Sequence, residues 1–312
     1  MSALPTAILG ATSQLARDFV AQGAAQGRDY VLFARRPEAL ANTGHRTAPL
    51  DAFGDEKFAA IVNFIGVGDP QRARDMGSTI IGITDEWDAR VLKNLQRFPA
   101  SRYVFLSSGA AYGNVFSAPA SAATEARFAI NALGRQDFYG LAKLAAETRH
   151  RAAADLGIID VRIFNYISRT QDLAARYFVT DMIRAALAEQ VFSTRKQMMV
   201  RDYIGPSDLA ALIVACLDAP QGYNGAVDAY SRAPINKAEM LNLMATRFGL
   251  RFEYDEGITL ASATGEKSIY CSAYRAAAAL GFEPQRTSAQ ALFEEIAAIP
   301  GMSPISDPHA TR

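Results

Sequence analysis

The chain has 312 residues, 32 basic and 32 acidic side chains that cancel, and a composition that is 50% hydrophobic and 21% charged. That length holds one large α/β unit or two domains, and the zero net charge lacks the basic excess of a nucleic-acid binder. His45, His150 and His309, with Cys216 and Cys271, have no metal-ligand spacing. Metal-assisted and thiol chemistry are thereby disfavoured, which leaves hydroxyls, lysine, carboxylates or a borrowed cofactor.

The first half alternates short apolar runs with helical stretches. Residues 6–9 (TAIL) read as a strand and 14–26 as a helix; 30–34 (YVLFA) is a second strand, followed by Pro37 at a helix start. Residues 60–64 (AIVNF) form a further strand, 84–97 a helix with the single Trp87, and 103–106 (YVFL) another strand. A long amphipathic helix over 136–155 ends at Gly157, and 158–164 returns as a strand. Strand–helix alternation at these lengths predicts a doubly wound parallel sheet, and continuous apolar strands predict that both its faces are covered.

After Asn165 the rhythm changes. Residues 169–197 read as mostly helical, 206–217 as a helix, 226–228 as a short strand, and 236–248 and 288–298 as helices. The expected organisation is a cofactor-binding domain over 1–167, to which 206–230 returns. A smaller, discontinuous α/β substrate-binding region then comprises 168–205 and 231–300, with a flexible tail at 301–312. No basic residue precedes Arg17 and the longest apolar runs are too short to span a bilayer, so a cytoplasmic location is expected.

A glycine turn between a first strand and its helix lets backbone approach a pyrophosphate, while the helix N-terminus supplies unpaired N–H groups. Here Gly10, Thr12, Ser13, Gln14 and Leu15 occupy that turn; only the first glycine of a GxxGxxG pattern remains, with Ser13 and Ala16 in the other places. At the end of the second strand stand Arg35 and Arg36 and no acid. Guanidinium groups suit a 2′-phosphate, so the expectation is NADP(H) in preference to NAD(H); a solvated charge pair is the plainer alternative. Asp51 is a candidate acceptor for the adenine amino group.

Tyr139 and Lys143 are spaced i, i+4 on the long helix and share a face. An ammonium beside a phenol favours the phenolate, which makes the pair a candidate acid/base. Lysine is scarce here, with six in the chain, and a hydroxyl-rich segment, 106–113 (LSSGAAYG), lies upstream at a strand end.

Taken together, GATSQLA, FLSSGAAYG, YGLAK, VRIFN and VRDYIGPSDLA occur in an order that resembles the extended short-chain dehydrogenase/reductases. This is the NAD(P)-dependent epimerase/dehydratase group that includes UDP-galactose 4-epimerase. The resemblance covers residues 6 to about 282 and implies a Rossmann-type fold with hydride transfer at a secondary alcohol or ketone. It places Ser108 as the catalytic hydroxyl, Tyr139 as general acid/base and Lys143 as its partner, with the latter two also touching the cofactor. It sets Asn165 and Ser108 toward substrate, Arg201 on the phosphates of a nucleotide sugar, and implies a homodimer.

Two departures stand out. Gly109-Ala110 replaces the Asp-Glu pair of the group's dehydratases, which argues against 4,6-dehydration, and Gly205-Pro206-Ser207 replaces the usual residues after RDYI. Three readings stay open: a nucleotide-sugar epimerase or oxidoreductase, an NADPH-dependent carbonyl reductase of a smaller substrate, and a non-catalytic NADP-binding sensor. His150 is expected on the surface and Cys216 in the core.

Overall fold

A computed structural model describes residues 4–24, 27–67, 70–113, 116–257 and 267–305. In chain order the elements are β1 (Thr6–Leu9), α1 (Gln14–Ala24), β2 (Tyr30–Ala34), β3 (Arg46–Pro49), β4 (Ala60–Asn63), α2 (Pro70–Met76), α3 (Thr79–Arg97) and β5 (Arg102–Ser108). They continue with α4 (Arg135–Ala152), β6 (Ile158–Ile163), β7 (Asn165–Tyr166), α5 (Phe178–Leu187), β8 (Val191–Thr194), β9 (Val200–Arg201), β10 (Tyr203–Ile204) and α6 (Pro206–Leu217). The last are β11 (Gly225–Asp228), β12 (Ile235–Asn236), α7 (Lys237–Phe248), β13 (Arg251–Tyr254), β14 (Ile269–Tyr270) and α8 (Ser288–Ala297).

Seven strands form one sheet in the order β11-β6-β5-β4-β1-β2-β3, and every pairing in it is parallel. The inner strands β1, β2, β4 and β5 are buried on both faces, as apolar runs such as TAIL and YVLFA require. On one face Phe19, Val20, Leu209, Leu212 and Ile213 of α1 and α6 pack on Ile8, Leu32 and Val104. On the other, Trp87, Val91, Leu95 and Ala146 of α3 and α4 pack on Leu9, Ile61 and Phe105. The strand order reverses between β1 and β4, and the crevice beyond the carboxyl ends at such a reversal is where ligands of open α/β sheets bind.

A separate core joins α5, α7 and α8 through Val179, Met182, Ile183, Met240, Leu241, Met244, Leu292 and Ile296. Local chemistry fixes the limits of α7: Asn236 accepts from the Glu239 N–H at 3.0 Å, Glu239 accepts in return at 2.8 Å, and Gly249 closes the helix at φ +70°. Short strand pairs, β10 with β7 and β12-β9-β14, connect this region to the sheet ends.

One expectation of this region needs correction. The stretch 169–197 is helical only over Phe178–Leu187; β8 follows and pairs in parallel with β13. Its partner lies some sixty residues away, beyond the reach of a local pattern. The tail expected at 301–312 falls largely outside the described residues. Among the described residues, no helix is long and apolar enough to cross a membrane.

Candidate active site

The turn after β1 sits at the strand-order reversal. Gly10 has φ +72°, and a Cβ there would lie 3.1 Å from Ile65 and 3.2 Å from Phe64, so the turn presses on the chain leaving β4. Only glycine meets both requirements. The N–H groups of Gly10 and Ala11 donate to Phe33 O, and Ser13 opens α1, its hydroxyl accepting from Ala16 N at 3.4 Å. The first turn of α1 carries no acidic side chain. Glycine turn, open helix N-terminus and absence of an acid together fit a dinucleotide pyrophosphate. Thr12 is exposed, Gln14 reaches Gln171 at 3.4 Å, and Leu15 packs on the core. Asp51 is exposed in the turn after β3, 3.6 Å from Arg90.

Across the crevice, β5 ends at Ser108, whose hydroxyl accepts from Ala110 N at 3.2 Å. The turn that follows is packed hard from two sides. A Cβ at Gly109 would fall 2.6 Å from the Phe164 ring, and one at Gly140 of α4 would fall 2.4 Å from Ala110 O. The missing side chain at Gly140 therefore lets α4 lie against the Ser108 turn and places the neighbouring Tyr139 over it. The Ser108 hydroxyl favours the ionised form of the phenols of both Tyr139 and Tyr270. Burial pushes the Tyr139 phenol above its ordinary value and the Ser108 hydroxyl pulls it partly back. The depression expected from Lys143 is absent: burial and the Ser108 hydroxyl set the direction between them.

Lys143 is buried, donates to Leu106 O at 2.7 Å, and stands 4.3 Å from the Phe105 ring centre and 5.9 Å from that of Tyr139. Desolvation lowers its ammonium to about 8, against the opposing pull of Asp88, Glu147 and Asp160. Ser108 of β5 and the Tyr139–Lys143 pair of α4 thus converge at one strand end.

Beneath them run two polar networks that sequence reading missed. Glu147, one turn beyond Lys143, accepts from Ser107 at 2.5 Å and from Arg162 through Nε at 3.0 Å and Nη2 at 2.5 Å. Arg162 donates to the Tyr112 hydroxyl at 2.7 Å, Tyr112 donates to Asp228 at 3.1 Å, and Ser272 donates to Asp228 at 2.5 Å. The i, i+4 spacing of Lys143 and Glu147 was the available signal. In the second network His150, expected on the surface, is fully buried. Its ring is clamped at 2.6 Å by Asp88 of α3 and at 2.6 Å by Asp160 of β6. Two carboxylates hold it as imidazolium, raised to about 9 despite desolvation.

On the far side, Asn165 donates to Asp202 O at 3.1 Å and to Tyr270 O at 3.3 Å. Arg201 donates to Val200 O at 2.8 Å and Lys267 O at 2.9 Å, and burial lowers its guanidinium. Rings of Tyr112, Phe116, Phe164 and Tyr270 form one cluster against the Ser108 turn. Cys216 is in the core, as expected, and burial raises its thiol to about 12.

Comparison with known proteins adds to this geometry. The model of the NAD dependent epimerase/dehydratase family matches residues 6–227. A search of curated proteins gave no match. Among solved structures, MoeE5 in complex with UDP-glucose and NAD is similar at 20% identity and TM-score 0.74, over 94% of this chain and 98% of that one. The Brucella ovis UDP-glucose 4-epimerase in complex with NAD is similar at 16% identity and TM-score 0.76, over 97% and 100%. The Methanobrevibacter ruminantium M1 UDP-N-acetylglucosamine 4-epimerase, in complex with UDP-N-acetylmuramic acid, is similar at 12% identity and TM-score 0.77, over 95% and 97%. At these identities the likeness is one of fold.

The expected NADP(H) preference is corrected by these findings. The matching family is NAD-dependent, and MoeE5 and the Brucella enzyme are both held with NAD. In this chain Arg35 and Arg36 are both exposed, and Arg36 leads directly into a 3-10 turn that begins at Pro37. Solvated cations at a loop entry require no 2′-phosphate to explain them.

Proposed function

This chain belongs to the NAD-dependent epimerase/dehydratase family, and we propose that it epimerises a nucleotide-activated sugar at a secondary alcohol, with Tyr139 as general acid/base. The observation that carries the reading is the convergence of Ser108, Tyr139 and Lys143 at the carboxyl end of β5, facing the crevice at the β1/β4 reversal. Gly10, Thr12, Ser13, Gln14 and Leu15 hold the pyrophosphate of NAD, Asp51 approaches the adenine, and Lys143 holds the nicotinamide ribose. Bound in that cradle, NAD would supply reversible hydride transfer at the carbinol carbon.

This chain's residues move the proton. Tyr139 takes it from the sugar hydroxyl as the carbon is oxidised and returns it to the keto oxygen on reduction. Ser108 hydrogen-bonds that same oxygen and aligns it with the phenol. Lys143 places a positive charge 5.9 Å from the Tyr139 ring centre, which favours the phenolate in the step that needs it. Arg201 meets the phosphates of the activated sugar, and Asn165 lines the substrate side. Dehydration is no part of this proposal. The positions after Ser108 carry no acid, and the buried acids below, Glu147 and Asp228, are both engaged with the Arg162–Tyr112 network.

The test is direct. Purified protein is denatured and the released dinucleotide identified, and UDP-glucose and UDP-galactose are separately offered without added cofactor. Release of NAD together with interconversion of the two sugars supports the reading. Turnover that instead consumes added cofactor in proportion to product sinks epimerisation and leaves a net oxidoreductase.

A further inference from the structure

After β7 the chain passes along the N-terminal half of α1 before it reaches the α5–α7–α8 core. Two side chains of α1 spaced i, i+4, and so on one face, meet it there. Gln14, in the first turn, donates through Nε2 to Gln171 Oε1 at 3.4 Å. Asp18, one turn on and 8% exposed, accepts from the Tyr166 hydroxyl at 2.7 Å and from the Thr170 hydroxyl at 3.0 Å. Hydroxyls that donate to a buried carboxylate make charge-assisted bonds, stronger than neutral ones. The segment is also braced within itself: Gln171 N donates to Ser168 O at 2.9 Å, and Thr170 N to the Ser168 hydroxyl at 3.1 Å.

Its other side is held by α8. Arg169 donates to Glu295 from its backbone N–H at 2.9 Å, and from Nε and Nη2 at 3.0 Å each. Residues 166–171 thus form a strap between the helix that opens at the glycine turn and a helix of the second core. Gln171 is the strap residue that reaches the first turn of α1, where backbone N–H groups favour an anion. The contact with Gln14 uses the oxygen of its carboxamide; the nitrogen carries two N–H donors suited to a phosphate oxygen.

We propose that Gln171 is a further NAD-binding residue, donating to the pyrophosphate, and that the 166–171 strap, anchored on Asp18, holds the dinucleotide in its cradle. The assignment rests on the NAD reading of residues 10–15. Asp18, Tyr166 and Thr170 are positioning residues, which fix the strap on α1 and act through Gln171. A dinucleotide seated on the turn leaves only as the contacts between strap and α1 open. Slow release suits an epimerisation, in which no net oxidation or reduction requires the cofactor to exchange.

The full chain loaded with radiolabelled NAD and chased with excess unlabelled NAD tests this, with release timed for wild type, Gln171→Ala, Tyr166→Phe and Thr170→Val. Tm is read for each with and without NAD. Release from Gln171→Ala should be faster by about tenfold or more, the worth of one hydrogen bond to a charged group. The two anchor variants should also release faster, and NAD should raise the Tm of all three by less than it raises that of wild type. Fast release in Gln171→Ala with both anchor variants like wild type keeps the contact and overturns the anchored strap. A wild-type release rate in Gln171→Ala overturns the proposal, and an equal fall of Tm with and without NAD then leaves the strap a packing element. Should Tyr166→Phe not fold, Thr170→Val tests the anchor alone. Wild-type protein that takes up no labelled NAD removes the cofactor reading itself, a failure distinct from wild-type release in the variants.

Discussion

Gly140 and Ala110 meet backbone to backbone: a Cβ on Gly140 would stand 2.4 Å from the Ala110 carbonyl oxygen. Tyr139 owes its approach to Ser108 to that contact, because the long helix can lie on the turn only where it carries no side chain. The Gly140→Ala variant must push the helix away or distort the turn. The expected result is a Tm loss corresponding to about 1–3 kcal/mol of overpacking, with a fall in kcat of at least tenfold. Retention of full activity with an unchanged Tm would show that the helix has room to spare.

Tyr139→Phe removes one oxygen from the site and leaves the ring in place. Turnover should drop by about 10²–10⁴-fold, the usual worth of a positioned acid/base. NAD retention and Tm should change little. If the variant turns over normally, the proton moves through another group, and Tyr270, whose phenol the Ser108 hydroxyl also pulls down, is the next residue to test.

Lys143 illustrates a conflict between stability and function. Its ammonium, depressed to about 8, is less favourable in the folded protein than in the unfolded chain. Folded and unfolded forms both carry the proton below about pH 8, where the full penalty applies; stability recovers as pH rises from there toward the unfolded value near 10.4. Lys143→Met should therefore be as stable as wild type at pH 7, or more so by about 1–3 kcal/mol, while losing activity. Thermal melts at pH 7 beside kcat on the same preparations check both halves.

His150 has the opposite sign. Its folded value near 9 lies above the unfolded value near 6.5, so its contribution is complete below about pH 6.5 and is lost as pH rises through 9. The groups facing it are Asp88 of α3, which also takes Arg149 at 2.9 Å, and Asp160 of β6, which also takes Arg151 at 2.9 Å. The Tyr103 ring of β5 packs beside it, 5.3 Å between ring centres, with its hydroxyl bonded to Asn63 and Asp88, and Phe105 lies on the same side. Between pH 6.5 and 7.5, below the Lys143 transition, wild-type stability should decline by about 1 kcal/mol. His150→Asn should be less stable at pH 6.5 and show a flatter profile across that window. A flat wild-type profile would mean that the ring is neutral between its two carboxylates.

Much of this protein was legible from one sequence because its signals are local. The apolar runs at 6–9, 30–34, 60–64 and 103–106 read as buried parallel strands, and all four fall on strands of the sheet. The pairing of Tyr139 with Lys143 follows from helical periodicity alone. The two networks were not legible, since their members come from separate elements: Ser107, Glu147, Arg162, Tyr112, Asp228 and Ser272 in one, and Asp88, His150 and Asp160 in the other. A histidine among charges on an amphipathic helix reads as solvated. Only the packing of α3 and β6 on either side of His150 makes it a buried cation.

By itself, the sequence determined the parallel α/β architecture, the glycine turn after β1, the Tyr139–Lys143 pair and the family. These depend on periodicity and short spacing, which the chain carries without folding. Tertiary structure decided which face of each helix is buried and therefore which charges must be paired. It turned His150 inward, set the Tyr270 ring in the cluster that backs the Ser108 turn, and left Arg35 and Arg36 in solvent, where their sequence position had suggested a phosphate. The reason is desolvation: the same side chain has one protonation behaviour in water and another among rings and carboxylates, and only three-dimensional packing assigns its surroundings.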